Sequence, residues 1–535
     1  MERDQGGRMT GTPSRRPDIV LVLADDLGFS DLGCYGGEID TPNLDRLGQA
    51  GVRFTQFYNS PRCSPSRASL LTGLHPHQVG VGILTGDERP DGYPGDLSAG
   101  SVTAAEALRA AGYRTYLSGK WHVAADMSAP NGAWPTRRGF DRFYGTIDGA
   151  GSYYQPVTLT RDERDIEHEA NEPGFFYTDA ISDNAVRFIE DTPAGDPFFL
   201  YLAYTAPHWP LHAPEEDVAR YRGRFDAGWD RLRADRLRRL RDEGILDPAW
   251  DLTGRDPRVP AWDEVADQEW EARRMEVYAA QVTRMDRGVG RILDTLERLG
   301  RLDDTLLLFL GDNGGCAEEL GDDRPGFIPQ HPTMPRRTRA GAPMRYGNSP
   351  GILPGPEDTF ASYGRNWANL SNTPFREYKH WVHEGGIATP LIVHWPAGIG
   401  SPGRLCAAPR QLVDVLPTLL DAASVTAGPP LEGSSMLDLL HGRETAERTL
   451  FWEHEGNAGV RRGRWKLVRK HGRAWELYDM AADRTELRDL AAGEPGVVAG
   501  LAAAYDEWAA RCGVIPRERI LDAYRRTGRP MPLDA

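Results

Sequence analysis

Lysine is nearly missing from this chain. Of 63 basic residues only four are lysine: Lys120, Lys379, Lys466 and Lys470. A composition pushed this far toward arginine keeps lysine where a compact ammonium does something a planar guanidinium cannot. Cysteine is scarce as well. The five copies, Cys34, Cys63, Cys316, Cys406 and Cys512, are scattered and odd in number. They show neither a metal-ligand spacing nor a disulfide framework, so a reduced, cytoplasmic setting is expected. Long apolar runs are absent too. DIVLVLADD and TLLLFLGDN are strand-sized and far too short to span a bilayer. The opening MERDQGGRMTGTPSRRP has no apolar core of a secretory signal, so neither export nor membrane insertion is expected. Positive charge is in deficit, with a net charge of −15. That argues against nucleic acid or an anionic membrane as a partner. A small anionic substrate stays compatible, because a cationic pocket can exist on an acidic protein.

What is present is a chain of 535 residues, 40% hydrophobic and 26% charged. That is ordinary for a soluble globular protein and long enough for one large domain plus a smaller one. DIVLVLADD (18–26) and TLLLFLGDNGG (305–315) share one design: an apolar, strand-like run, two oxygen side chains, then a turn. Near-continuous apolar strands predict a central, mostly parallel sheet buried on both faces. Amphipathic helices are expected at 41–50, 103–111 and 275–299, giving an α/β sandwich. Residues 220–245, dense in Arg and Asp, read as a solvated surface helix. Residues 320–375 read as a long loop excursion. From about residue 446 the pattern changes to short antiparallel strands followed by a helix at 495–511. The expected organisation is a tail at 1–15, a catalytic domain at 16–445 and a small α+β domain at 446–535.

The chemistry-bearing residues gather at strand ends. Asp25, Asp26, Asp312 and Asn313 offer hard oxygen ligands for Ca²⁺ or Mg²⁺ on the rim where α/β sheets bind ligands. Either pair alone could equally cap the turn that follows it; their matching placement favours the metal. In SPRCSPSRASLLTG, Pro65 fits the first turn of a helix that stops near Gly73. Cys63 then sits near a helix N-terminus, where the dipole favours anions. Such a thiol could be acidified, but Arg67 lies four positions on, which is not the Cys-to-Arg spacing of Cys-dependent phosphatases. His122, His208, His75 and His77, each taken alone, read as structural histidines. Cys34, Cys316, Cys406 and Cys512 read as small buried residues.

CSPSRASLLTG resembles the sulfatase signature C-x-P-S-R-x-x-x-x-T-G. The likeness continues in order through DIVLVLADDLGFSDLGCYGG, TPNLDRL, YRTYLSGKWH, TAPHWPLHAP, LGDNGG, YKHWVHEGGIATPLIVHWP and RRGRWKLV…WELYDMAAD. It is similar above all to bacterial arylsulfatases of the alkaline phosphatase superfamily. The resemblance implies a large mixed, mostly parallel sheet between helices, with a short antiparallel sheet in the C-terminal domain. It implies that Cys63 is oxidised to formylglycine by a separate formylglycine-generating enzyme. Asp25, Asp26, Asp312 and Asn313, with modified Cys63, would hold one divalent ion, usually Ca²⁺. Arg67 would steady the hydrated formylglycine, Lys120 and His122 would contact it and the sulfate, His208 would face the leaving-group oxygen, and Lys379, five residues before Glu384, would bind sulfate oxygens. The implied substrate is a sulfate monoester, chosen by residues outside this core, at 145–175 and 320–370. Two other readings share the centre: a phosphonate monoester or phosphodiester hydrolase, and a catalytically silent binding protein of the same fold.

Overall fold

A computed structural model of the chain describes residues 16–321, 335–400, 402–425 and 431–528. The expected tail at 1–15 and residues 322–334 of the expected loop excursion lie outside the described residues. The strands up to residue 311 are β1 (Asp18–Ala24), β2 (Val52–Tyr58), β3 (Arg114–Gly119), β4 (Arg142–Thr146), β5 (Leu159–Arg161), β6 (Arg164–Asp165), β7 (Phe198–Ala203) and β8 (Thr305–Gly311). Those after it are β9 (Arg345–Tyr346), β10 (Thr359–Phe360), β11 (Ala388–His394), β12 (Arg404–Cys406), β13 (Arg410–Gln411), β14 (Thr449–His454), β15 (Asn457–Arg462), β16 (Trp465–Arg469) and β17 (Glu476–Asp479). The main sheet runs β12-β2-β11-β8-β1-β7-β3-β4-β5-β6, with β13 also on β2.

Its centre, β8-β1-β7-β3, is parallel throughout. The antiparallel strand β11 lies between β8 and β2. Successive side chains of a strand point to opposite faces, and here both faces are apolar. Val20, Val22, Leu307, Phe309, Leu200 and Leu202 face one core. Ile19, Leu21, Leu306, Leu308, Phe199 and Tyr201 face the other. This two-sided burial is why the strands read as continuous apolar runs rather than alternating ones.

The helices Pro42–Ala50, Ala104–Ala110 and Gln268–Arg298 occupy the expected segments, the last beginning earlier than its apolar pattern suggests. The charged 220–245 stretch departs from expectation. Its helix, Gly228–Asp242, buries Trp229, Leu232, Arg233, Arg236 and Leu240. Arg236 is fully buried, with Nη1 2.7 Å from Asp31 and Nη2 2.7 Å from Glu38. A charge count along one helix cannot reveal partners that lie some 200 residues away. The 320–375 excursion is also more ordered than a loop, because it contains the β9/β10 pair and the helix Gly364–Ser371. After residue 446, β14-β15-β16-β17 form an antiparallel sheet. One face packs on the helix Pro495–Cys512. The other adds Leu450, Trp452, Val468 and Tyr478 to the main core. No helix among the described residues is long and apolar enough to cross a membrane.

Candidate active site

Four adjacent strands deliver the site. β1 and β8 pair in register at Ala24 and Gly311, so Asp25–Asp26 and Asp312–Asn313 leave the sheet side by side. Lys120 follows β3, and His208 lies in the loop after β7. All are on the carboxyl rim of the parallel strands, where this architecture opens a crevice. Cys63 is the first residue of the helix Cys63–Thr72, which ends at Gly73 with φ 65°, a left-handed stop. Lys379 comes from the segment before β11.

The side chains interlock. Lys120 Nζ is 2.5 Å from Asp25 Oδ2. Arg67 Nη2 is 3.0 Å from Asp312 Oδ2 and 3.7 Å from Asp25 Oδ2. Lys379 Nζ straddles Asp26, 2.8 Å from Oδ1 and 2.9 Å from Oδ2. Asn313 Nδ2 donates to Asp26 Oδ1 at 2.7 Å, and the Asp26 amide donates to Asp312 Oδ1 at 3.1 Å. His208 Nδ1 donates to the Trp209 carbonyl at 2.7 Å, which leaves Nε2 to accept from Lys379 Nζ at 3.3 Å. Lys120 and Arg67 are completely buried, and Cys63 and Lys379 nearly so. Neither lysine is a solvated surface residue.

Burial and charge set the protonation states. Burial disfavours ionised Asp25, but Lys120, His208 and Arg67 together outweigh it and hold the carboxyl well below its usual range. Asp312 moves the other way, pushed up to about 7 by burial and by the Asp25 carboxylate against the pull of Arg67. Burial lowers His208, helped by Lys379, and lowers His122 further, helped by Lys120 and Arg67. Burial pulls Lys379 down, but Asp26, Cys316, Cys63 and Glu318 together outweigh it and hold the ammonium well above its ordinary value.

Two oxygens are suited to face a cation. Asp25 Oδ1 and Asn313 Oδ1 are buried and have no hydrogen-bond partner. An unpaired buried acceptor is costly unless something electropositive faces it. Asp25, Asp26 and His208 each offer one donor atom, all within 4.8 Å of one another. With Asp312 and Asn313 beside them, the donor set is that of a hard divalent ion.

His122 is nearby but less engaged. Its Nδ1 has no hydrogen-bond partner, its φ is 55°, and Gly149 packs flat on it, since a Cβ there would lie 2.2 Å from the ring. His75 and His77 do not join the site. His77 Nε2 pairs with Glu453 at 2.7 Å, and His75 stacks edge-on against Trp508. Cys34, Cys316, Cys406 and Cys512 are buried free thiols.

The structure adds residues that sequence reasoning passed over. Glu318 takes Arg62 Nη1 at 2.7 Å and the Trp209 indole N–H at 2.9 Å, tying the Cys63 and His208 segments together. Arg62 adjoins Cys63 and Glu318 follows DNGG, so proximity to the motifs was the available signal. Ser66, inside CSPSR, donates to the Asp312 carbonyl at 2.5 Å. Tyr153 donates its hydroxyl to the carbonyls of Thr205 and His208, each at 2.9 Å.

The chain is similar to known proteins in sequence and in fold. A family model described as Sulfatase matches residues 17–425, and one described as N-sulphoglucosamine sulphohydrolase, C-terminal, matches 377–497. The chain is 32% identical to a sulfatase of Schizosaccharomyces pombe, over 94% of this chain and 95% of that protein. It is 32% identical to the arylsulfatase of Klebsiella aerogenes, over 79% of this chain and 90% of that one. Among solved structures, Ps i-CgsB superposes with a TM-score of 0.67 at 24% identity, covering 96% of this chain and 98% of its own. The phosphonate monoester hydrolase of Agrobacterium radiobacter superposes with a TM-score of 0.56 at 20% identity, over 93% and 96%.

Proposed function

The chain belongs to the sulfatase family and is a sulfuric ester hydrolase; on that footing we propose that it cleaves aryl sulfate-like monoesters through Cys63 matured to formylglycine. The observation that carries this reading is the buried cup in which Arg67, Lys120 and Lys379 meet three carboxylates while Asp25 Oδ1 and Asn313 Oδ1 stay unpaired. Asp25, Asp26, Asp312 and Asn313 would hold one divalent ion, Ca²⁺ with Mg²⁺ as the alternative. When present, the ion would withdraw charge from sulfate oxygens and the hydrated aldehyde would supply the attacking oxygen.

The chain's own residues do the rest. Lys120, Lys379 and Arg67 place fixed positive charge in a dry pocket, where it stabilises a sulfuryl group more than it would in water. His208 Nε2, the unprotonated acceptor facing Lys379, would have to take up a proton before it could pass one to the departing oxygen, a ~10²–10⁴-fold effect. That help matters less for a phenol, which leaves easily, than for a sugar alcohol. The helix start at Cys63 keeps the reacting residue in the cup, and maturation requires a formylglycine-generating enzyme as partner. The division near residue 446 into catalytic and small C-terminal domains belongs to the same proposal.

The test is turnover of 4-nitrophenyl sulfate against phenyl phosphonate, with peptide mass at residue 63. The expected result is dominant sulfate turnover and a peptide lighter by roughly 18 Da, since conversion of the CH₂–SH group to an aldehyde removes one sulfur and two hydrogens and adds one oxygen. Dominant phosphonate turnover reverses the choice of substrate. An intact thiol without turnover, in protein from its own host, replaces the enzyme reading with a binding one.

A further inference from the structure

The two lysines outside the cup have a common target. Lys466 lies in β16 and Lys470 immediately after it, in the C-terminal sheet. Both grip acids of residues 376–384, the segment that carries Lys379. Lys470 Nζ is 2.6 Å from Glu377 Oε1 and stands 4.1 Å over the Trp381 ring. Lys466 Nζ is 2.8 Å from Glu384 Oε1 and 2.7 Å from Glu486 Oε1, with all three side chains fully buried. Arg484 Nε holds the other Glu384 oxygen at 2.9 Å, and the Glu384 amide donates to Glu486 at 3.1 Å. At the segment's start, Arg376 Nη2 is 2.5 Å from Glu476. The C-terminal unit thus holds both ends of a short stretch with Lys379 between them.

That stretch needs holding. Glu377 has φ 64° and His380 φ 88°, left-handed backbone at residues with side chains, on either side of Lys379. Such conformations persist when the surroundings enforce them. From the opposite side the segment is bonded to the reacting elements: the Lys379 amide donates to Gly315 at 3.1 Å and the His380 amide to Pro61 at 2.7 Å. The glycines after Glu384 continue the link. The Gly314 amide donates to Gly386 at 3.0 Å, and a Cβ on Gly314 would sit 1.8 Å from the Gly385 carbonyl. The turn after Asn313 therefore rests on the turn after Glu384.

We propose that Lys466 and Lys470 are positioning residues that make the C-terminal sheet a working part of the active site, fixing where Lys379 meets the anion. A compact ammonium suits both places. One bridges two buried carboxylates, and the other fits between a carboxylate and an indole face. The assignment of Lys379 to the anion rests on the function proposed above, but the grip on its segment does not.

Lys466 is fully buried, and its removal strands Glu384 and Glu486, so the half-buried Lys470 is the site to vary. In Lys470→Met, backbone amide exchange of residues 377–386 should quicken severalfold. The kcat/KM for 4-nitrophenyl sulfate should fall about tenfold, with residue 63 maturation and metal content as in the parent. The melting midpoint should stay within about 2 °C, as for loss of a partly exposed ion pair. Lys470→Arg, which keeps the charge but not the compact ammonium, should recover only part of the activity. Unchanged exchange overturns the proposal whatever the substrate, and so does activity within about twofold of the parent, or a loss that follows a lowered midpoint. A parent protein inactive on sulfate esters that still shows the exchange change counts against the proposed substrate only.

Discussion

Lys379 shows how little freedom a cation in this cup has. Its Nζ touches both oxygens of Asp26 and the Nε2 of His208, and the side chain is buried. Arginine keeps the charge but brings a flat, wider group with fixed donor directions. The packed surroundings have no room for it, and its donors cannot all reach the atoms that one ammonium serves. Lys379→Arg should fold and still lose at least tenfold in kcat/KM, because a misplacement of about 1 Å at a reacting centre is enough for that. Steady-state kinetics with circular dichroism on the same sample decide it. Activity within twofold of the parent would mean that Lys379 supplies charge without geometry. The scarcity of lysine in the chain points at this residue and at Lys120. It does not point at Glu318 or Ser66, whose roles come from partners distant in sequence.

Elements differ in how well their pattern announced them. β1 and β8 were legible because two-sided burial leaves an apolar run no other reading of that length. CSPSR was legible because its residue types and their spacing repeat a family pattern. Gly228–Asp242 was legible as a helix but not as a buried one, because its polar face is satisfied by residues from elsewhere. Arg236 pairs with Asp31 and Glu38, and Asp31 also accepts from the Gly28 amide at 2.9 Å and the Tyr278 hydroxyl at 2.7 Å. That knot braces the turn that follows Asp25 and Asp26. Arg236→Met leaves a fully buried aspartate without its cation, which costs about 3–5 kcal/mol. Arg231, on the exposed side of the same helix, pairs with Asp235, and exposed pairs contribute little. Urea unfolding should separate the two: a clearly lowered midpoint for Arg236→Met and an unmoved one for Arg231→Met. Equal midpoints would return the helix to the solvated role its composition suggests.

Across the molecule, the rim of the sheet supplies the cup, while its lips come from segments whose composition gives little notice of structure. His212 joins two of them. Its Nε2 donates to the Thr359 carbonyl at 2.6 Å, and its Nδ1 accepts from the Tyr153 amide at 3.3 Å. Acceptance at Nδ1 requires the neutral ring. Burial lowers its pKa to about 4, against weaker upward pulls from the Thr359 carbonyl, Glu357 and Asp358. The sign follows from proton counts. Above pH 6.5 the ring is neutral folded or unfolded, so protonation adds nothing. Between about 6.5 and 4 the unfolded chain takes a proton that the folded one refuses, so stability falls as pH falls. Below about 4 both forms are charged and the loss is complete. A difference of about 2.5 units corresponds to about 3 kcal/mol. His212→Gln can still donate to Thr359 but cannot titrate. The parent should therefore lose about 3 kcal/mol relative to this variant between pH 7 and pH 4, read by urea unfolding at several pH values. Carboxylates common to both proteins cancel in that difference. A gap that stays constant across the range would show that the folded ring takes up a proton as readily as the unfolded one, and the hydrogen bonds that join the two lips would then need another arrangement.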